Sequence, residues 1–315
     1  MADDNVVQGG GDDDESKQYR IPATLSEGDY AEQMKLAIRL ALEAGGNMIP
    51  HLEGKGTISG AAAQLSLGIA VTKTNDTDFA TNIDLTNEAM IMSAIEDRYP
   101  SHVIIGEEST GTGKTMDLTD APTWIIDPID GTTNFAAGSP LTCVSIGFCN
   151  GGEPVMGVIF APATRELYLA MKGRGSYRNG ERIFSTSPTA TTTSTTPDDS
   201  SSNQATPPTP TPLPPTPKIT LSNAVVCFEF GYARSEDGVD KMVNAVKRIL
   251  LHGCRTTRSY GSGVLDLCYV ASGRIDVVYT GLDVEGWKPW DYCAAMVVVE
   301  EAGGVIRSLR DEGGT

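Results

Sequence analysis

The sequence lacks the features that mark secreted and membrane-spanning proteins. Its six cysteines form no Cys-x-x-Cys pair and no regular framework, and they occur singly in mostly apolar surroundings. No apolar run is long enough to span a bilayer, and the first residues contain neither the basic nor the apolar region of a signal peptide. We therefore expect reduced cysteines in the core and a cytoplasmic location.

Positive charge is also scarce. The chain has 24 Lys and Arg residues against 41 Asp and Glu residues, which gives a net charge of −17. This charge repels nucleic acid and anionic membranes, so neither is an expected partner. A phosphate-bearing substrate would be repelled as well, and bound cations would have to supply positive charge at its site.

Two low-complexity stretches divide the chain. Residues 1–20 are acidic and Gly-rich and are expected to form a disordered tail, while residues 186–218 consist mainly of Thr, Pro and Ser and predict a disordered insertion. Residues 21–185 alternate helical and strand patterns and form a predicted N-terminal α+β part with the metal site, and residues 219–315 form a C-terminal α/β part. The predicted fold class is α+β.

The stretch WIIDPIDGTTNF at residues 124–135 is the centre of the sequence. We expect a buried strand that ends at Asp127, because Pro128 fixes its own φ and disfavours a helical conformation before it. The following turn should place Asp130 beside Asp127. Two carboxylates that lie so close together either share a proton or bind hard divalent cations.

A helix is expected to begin just after this motif. Its first N–H groups, on Gly131, Thr132 and Thr133, would be free to bind a phosphate. An ordinary strand-turn-helix junction with Asp127 as a cap explains the same stretch. Acids elsewhere in the chain have to separate these interpretations.

Further acids stand where predicted elements begin or end. Asp84 and Asp291 each precede a predicted helix in the position of an N-cap, and Glu107 and Glu108 follow a short buried strand. Capping alone would explain Asp84 or Asp291, and a solvated turn would explain the two glutamates. The positions become informative together, because they all fall at ends of elements.

Three motifs, in this order, resemble the inositol monophosphatase family of the metal-dependent, lithium-sensitive phosphatase superfamily. They are GEES at residues 106–109, the central motif, and WD at 290–291 followed by EAGG at 301–304. The resemblance extends from about residue 30 to the end, apart from the low-complexity stretches. It implies a layered α-β-α-β-α fold, hydrolysis of inositol monophosphate or a similar small polyol phosphate, and a homodimer.

The resemblance also implies roles for residues of this chain. Two or three Mg²⁺ ions are expected at Glu107, Asp127, the Ile129 carbonyl, Asp130 and Asp291. The implied catalytic residues are Asp84, Thr132 and Glu107, of which the first two orient and deprotonate the attacking water. Substrate contacts are expected from Gly131, Thr132, Gly261, Ser262, Gly263 and Glu285. The spacing from Glu285 to Asp291 is one residue shorter than the family pattern, and Lys73 falls on the loop that closes near the site.

The chemistry of a phosphomonoesterase agrees with these residue types. Hydrolysis needs a nucleophile at neutral pH and neutralisation of charge on the phosphoryl oxygens and the leaving alkoxide, and bound Mg²⁺ supplies both. The histidines His51, His102 and His252 are scattered, so we expect no catalytic role for them. No covalent enzyme intermediate is needed.

Other functions stay open. Related enzymes hydrolyse fructose bisphosphate, a 3′-phosphoadenosine nucleotide or histidinol phosphate, and a motif does not fix the substrate. A non-catalytic regulator that binds a metabolite is a further alternative, and the loss of a metal ligand would be its mark. Family members continue through a further strand and a terminal helix, so we expect either a truncated chain at residue 315 or a second sheet without one edge strand.

Overall fold

A computed structural model describes residues 6–8, 18–56, 69–75, 78–110, 118–186, 219–281 and 286–308. For residues 6–8, 18, 69–75, 78 and 79 only the backbone is described. The predicted insertion, apart from residue 186, lies outside the described residues, as do Glu285 and most of the predicted acidic tail.

The described residues form eight α-helices and 14 strands, numbered here in chain order. The helices are α1 Ala23–Ser26, α2 Ala31–Gly54, α3 Asn82–Arg98, α4 Glu107–Thr110, α5 Thr132–Ala137, α6 Glu236–His252, α7 Gly263–Ala271 and α8 Pro289–Glu301. The strands are β1 Val6–Gln8, β2 Gln18–Arg20, β3 Ile69–Asn75, β4 Asp78–Thr81, β5 Val103–Gly106, β6 Thr123–Asp130, β7 Cys143–Asn150, β8 Glu153–Ala161, β9 Glu166–Met171, β10 Gly175–Arg178, β11 Glu181–Arg182, β12 Val225–Phe228, β13 Thr256–Arg258 and β14 Val277–Tyr279.

A seven-stranded sheet lies at the centre of the described structure. Its strands follow the order β11-β10-β9-β8-β7-β6-β5. All neighbours are antiparallel except β5 and β6, which are parallel. The carboxyl ends of β5 and β6 therefore lie side by side at one edge of the sheet, which is where the sequence places its acids.

Helices α2 and α3 cover one face of this sheet. Met34, Ile38 and Ala41 recur at helical spacing along α2 and are fully buried against β7 and β8. The sequence pattern predicts a helix from Asp29 to Met48 that Gly45 and Gly46 end, but the helix continues to Gly54. A Cβ at Gly45 would lie 2.4 Å from the Phe160 ring. Gly45 thus allows close packing of helix on sheet, and it is not a helix terminator.

Helices α7 and α8 cover the other face and carry the second sheet. Helix α8 packs against β6, β7, β8 and β9, and α7 packs against α8. Beyond them lies a parallel three-stranded sheet in the order β13-β12-β14. The layers are helices, the large sheet, helices and the small sheet, and the amphipathic α6 follows β12 in the chain. The predicted layered α+β fold is confirmed.

Two smaller expectations concern the chain ends and the cysteines. Strands β1 and β2 pair with each other within the predicted tail. Tyr19 of β2 is buried against Phe160. The division of the chain into parts stays a prediction. All six cysteines are free, and all but Cys254 are buried. In the part of the chain that the structure describes, no helix has both the length and the apolar character to cross a bilayer.

The packing of α8 on the large sheet depends on Gly157. A Cβ built on Gly157 would lie 2.1 Å from the carbonyl oxygen of Ala294. We expect Gly157→Ala to lower the free energy of unfolding by about 2–3 kcal/mol, because backbone and not a flexible side chain would have to move. Gly286→Ala is the matched control, since its Cβ would meet no atom of the described residues within 4 Å. Equal denaturant midpoints for the two variants would contradict this view of the interface.

Helix α7 contains one acid, Asp266, and its side chain is fully buried. Burial, and then the negative charge of Glu229, raises the pKa of Asp266 to about 9. Cys227 and Asp130 are the other titratable groups that act on it. The carboxyl group is therefore neutral at pH 7 in the folded protein.

The burial of Asp266 makes stability depend on pH. Between the usual carboxyl range and about pH 9, the folded state binds one proton that the unfolded state has lost, so the free energy of unfolding falls as pH rises. We expect Asp266→Asn to reduce this fall in the free energy of unfolding by up to about 1.4 kcal/mol per pH unit. Denaturant unfolding at pH 6, 7 and 8 measures the slope, and the exposed Asp240→Asn is the control. An unchanged slope in Asp266→Asn would contradict the assignment.

Candidate active site

Strand β6 brings Asp127 and Asp130 together in a way that differs from the prediction. The strand does not end at Asp127, because Asp130 still pairs with Cys143 of β7. Asp127 pairs with Ser145, so three steps along β6 match two along β7 and the register shifts as in a β-bulge. The expectation that the two carboxylates lie close together is met by this bulge and not by a turn.

A third carboxylate comes from the start of α8. One carboxylate oxygen each of Asp127, Asp130 and Asp291 lie within 4.8 Å of one another. Asp291 is not an N-cap, as the sequence predicts, but the third residue of the helix, because Pro289 occupies the first position and Lys288 is the cap. Its Oδ2 accepts a hydrogen bond of 2.6 Å from the Lys288 N–H.

Glu107 lies at the neighbouring strand end. Gly106 pairs with Ile126 in the parallel ladder, so Glu107, which follows β5, comes next to the position where β6 continues into Asp127. Glu107 is the first residue of α4, and its charge acts on Asp130. Glu107 thus acts electrostatically on the cluster from the neighbouring strand end.

The electrostatics of this cluster favour a cation. Asp127 and Asp130 are only 1% and 6% exposed. Burial raises the pKa of Asp130 to about 7, against hydrogen bonds from Ser262 and the Val264 N–H that lower it, and the charge of Glu107 raises it further. Several buried carboxylates at such distances repel one another, and hard oxygen donors are the ligands that Mg²⁺ prefers. The residues present fit a divalent cation held by Asp127, Asp130 and Asp291.

Asp84 and Thr132 meet beside this cluster. The Thr132 hydroxyl oxygen lies 3.2 Å from Asp84 Oδ1 and 3.1 Å from the Ile129 carbonyl oxygen. Asp84 is fully buried, and its Oδ2 accepts hydrogen bonds from the backbone N–H and the hydroxyl of Thr81. Thr81 is therefore the N-cap of α3 and Asp84 its third residue, which corrects the predicted capping role.

The predicted substrate residues form two glycine turns in contact. Gly131 and Gly261 both adopt a positive φ, of 81° and 74°, and a Cβ on Gly131 would lie 3.1 Å from the Gly261 carbonyl oxygen. The Ser262 hydroxyl and the Val264 N–H both donate to Asp130 Oδ2. The structure brings these residues together with the carboxylates.

Gly263 lies under a tryptophan that the sequence prediction does not include. A Cβ on Gly263 would lie 2.8 Å from the Trp287 indole, so only glycine allows this contact. Two other predicted positions are not described, Glu285 with its backbone and Lys73 with its side chain. Their roles stay predictions.

The structure adds a further residue that the prediction missed, Glu88. Its carboxylate accepts hydrogen bonds of 2.8 and 2.6 Å from the N–H groups of Glu108 and Ser109, and it is 4% exposed. A Cβ on Gly106 would lie 2.5 Å from this carboxyl group. Glu88 thus holds the start of α4, where Glu107 stands. Its position four residues after Asp84 on one helix face was a usable signal.

Removing the charge of Glu88 should weaken metal binding through Glu107. We expect Glu88→Gln to raise the Mg²⁺ concentration for half-maximal activity about tenfold or more, because residues behind metal ligands typically contribute this much. A calorimetric Mg²⁺ titration gives an independent readout. Glu96→Gln, an exposed position on the same helix, is the control. Identical Mg²⁺ affinities in both variants would show that Glu88 does not position the site.

Two of the three histidines make contacts within the fold. A ring nitrogen of His51 lies 2.9 Å from the Phe135 carbonyl oxygen. His102 stacks on Tyr99 and accepts a hydrogen bond from the Trp124 indole N–H. His252 is exposed at the end of α6.

Comparison with known proteins agrees with this geometry. The inositol monophosphatase family model matches residues 29–315. The chain belongs to the inositol monophosphatase family. It is 36% identical to inositol monophosphatase of Mesembryanthemum crystallinum over 230 residues, covering 73% of this chain and 72% of that protein. It is 33% identical to human inositol monophosphatase 2 over 284 residues, covering 90% and 83%.

Solved structures of this family share the fold. The Thermotoga maritima IMPase superposes with a TM-score of 0.60 at 27% identity, covering 86% of this chain and 84% of that chain. The inositol monophosphatase from Anabaena gives 0.58 at 27% identity, covering 88% and 83%. The family is one of phosphatase enzymes, and a phosphatase acting on a small phosphorylated substrate is the function these findings support.

Proposed function

We propose that this protein is a Mg²⁺-dependent phosphomonoesterase that hydrolyses inositol monophosphate to inositol and phosphate. The observation that supports it most is the meeting of three carboxylates from β6 and α8 beside the Asp84–Thr132 pair. Asp127, Asp130 and Asp291, with Glu107 and the Ile129 carbonyl, would hold the two or three ions. When bound, Mg²⁺ lowers the pKa of water and neutralises charge on the phosphoryl and leaving oxygens.

Asp84 and Thr132 would handle the proton of the attacking water. The hydroxyl of Thr132 has one proton and two acceptors nearby, Asp84 Oδ1 and the Ile129 carbonyl. When Thr132 donates to Asp84, its oxygen can accept a proton from water while its own proton passes to Asp84 Oδ1. The two hydrogen bonds from Thr81 fix the other oxygen, Oδ2, and so orient the carboxylate.

The substrate would lie against the two glycine turns. Gly131 and Gly261 have no side chains that would cover the backbone there. The Ser262 hydroxyl links the second of these turns to Asp130. Thr132, Gly263 and Glu285 complete the proposed contacts. A homodimer, inhibition by lithium and a cytoplasmic location belong to the same proposal and rest on the family resemblance alone.

Phosphate release tests this function. We expect the purified chain to release phosphate from myo-inositol 1-phosphate with Mg²⁺ and none with excess chelator. Fructose 1,6-bisphosphate, 3′-phosphoadenosine 5′-phosphate and histidinol phosphate are compared at equal concentration. Faster release from one of these would replace the substrate and keep the phosphatase. Binding of inositol 1-phosphate without turnover of any ester would overturn the proposal in favour of a regulator.

A further inference from the structure

The turn from Ser259 to Ser262, between β13 and α7, is held from two sides. On one side Asn134 donates its side-chain N–H to the Tyr260 carbonyl, at 2.6 Å. On the other side a single carboxylate oxygen, Glu229 Oε1, accepts the N–H groups of Tyr260 and Gly261, both at 2.9 Å. The Ser259 hydroxyl donates to the same carboxylate at 3.4 Å. Glu229 therefore binds three consecutive residues of this turn.

Glu229 is itself fixed by the small sheet. It follows β12 directly, and its N–H donates to the Tyr279 carbonyl of β14 at 3.3 Å. Behind it lies the buried Asp266, which accepts a hydrogen bond of 3.3 Å from the Cys227 thiol. One ligand atom each of Cys227, Glu229 and Asp266 lie within 4.8 Å of one another.

Asp266 is the buried neighbour of Glu229. Asp266 Oδ2 is buried and has no hydrogen-bond partner among the described residues. A neutral Asp266 carboxyl group has an O–H to donate, and Glu229 offers a neighbouring acceptor oxygen.

The turn reaches the candidate site directly. The Gly261 carbonyl oxygen would lie 3.1 Å from a Cβ on Gly131, and the Ser262 hydroxyl donates to Asp130. A displacement of the turn would thus move the wall of the substrate site, whereas Asp127 and Asp291 belong to other elements. Glu229 is bonded to the turn, and its charge also acts on Asp130.

We propose that Glu229, supported by Asp266, is a positioning residue for the substrate: its carboxylate fixes the turn from Ser259 to Ser262 so that Gly261 and Ser262 face the polyol phosphate. This proposal rests on the proposed function. It assigns to the small sheet a part in substrate binding that is separate from the metal ligands of the large sheet and α8.

Glu229→Ala, Glu229→Gln and the exposed control Glu236→Gln test this role. For Glu229→Ala we expect KM for myo-inositol 1-phosphate to rise about ten- to a hundredfold, as for the loss of a charge-assisted hydrogen bond. The half-saturating Mg²⁺ concentration and kcat should stay within about threefold. Glu229→Gln keeps one acceptor oxygen and should recover part of the loss, and Glu236→Gln should behave as the unmodified protein.

Hydrogen exchange of a peptide spanning residues 255–265 provides a readout independent of activity. We expect faster exchange in Glu229→Ala at unchanged melting temperature. Unchanged KM and unchanged exchange would overturn the proposal, as would a rise in Mg²⁺ requirement equal to the rise in KM. If the unmodified protein releases no phosphate, the proposed function fails. Exchange together with the affinity for inorganic phosphate in Mg²⁺ then decides the role of Glu229 alone, and equal values in Glu229→Ala and Glu236→Gln would overturn it.

Discussion

Asp127→Asn should abolish phosphate release while the fold survives. The substitution removes the negative charge at the centre of the carboxylate cluster, where a cation would contribute several kcal/mol to the transition state, so we expect a loss of roughly 10³-fold or more. The amide oxygen can still accept the Ile129 N–H that Asp127 Oδ1 accepts at 3.0 Å. The local backbone should therefore keep its conformation.

The matched control is Asp120→Asn, an exposed position just before the same strand. Both variants should show the circular dichroism and melting temperature of the unmodified protein within about 1 °C, which corresponds to less than about 1 kcal/mol for a chain of this size. Only Asp127→Asn should lose activity. Turnover within tenfold of normal in Asp127→Asn would remove this residue from the reaction.

Asp84 and Thr132 should act as one unit. We expect Asp84→Asn and Thr132→Val each to lower kcat by about 10²- to 10⁴-fold, the usual contribution of a general base. The double variant should lose hardly more than either single variant, because each substitution already breaks the path from the Thr132 hydroxyl to Asp84 Oδ1. Steady-state kinetics of the four proteins complete the cycle.

Thr132→Ser is the control for this pair, since it keeps the hydroxyl group and removes only a methyl group. It should retain activity within about tenfold. Multiplying effects in the double variant, or a Thr132→Ser variant as inactive as Thr132→Val, would show that the two residues act separately. Unfolding by denaturant is measured in parallel, because Asp84 also closes the capping box of α3.

Local patterns allowed much of the fold to be predicted. These patterns predict strands at residues 144–148, 155–160 and 166–171 and helices at residues 85–98 and 264–271. Strand β9 has the predicted bounds, and β7, β8, α3 and α7 lie within a few residues of them. The errors arise where packing overrides a local rule. Glycine often ends a helix, but Gly45 lies inside α2, where the Phe160 ring leaves no room for a Cβ.

The site shows the same limit. Asp127, Asp130 and Asp291 could be predicted because three motifs in this order resemble the inositol monophosphatase family, and the resemblance implies these residues as metal ligands. Their local geometry could not, since the bulge in β6 depends on pairing with β7, and the caps Thr81 and Lys288 displace both expected N-caps by three positions. These features depend on tertiary contacts.

The positioning residues were harder to predict still. Glu229 and the turn it holds lie about 30 residues apart in sequence, and Ser262 bonds an aspartate 132 positions away. No spacing rule connects such pairs. They become visible only when two sheets and the helices between them are assembled.

The most direct test of the proposed metal centre is an anomalous difference map from crystals grown with Mn²⁺, which occupies similar oxygen sites. We expect at least one strong peak in contact with the carboxylates of Asp127, Asp130 and Asp291, and its loss in Asp127→Asn. A map without a peak between these three residues, from crystals of the active protein, would contradict the metal-assisted mechanism proposed for this site.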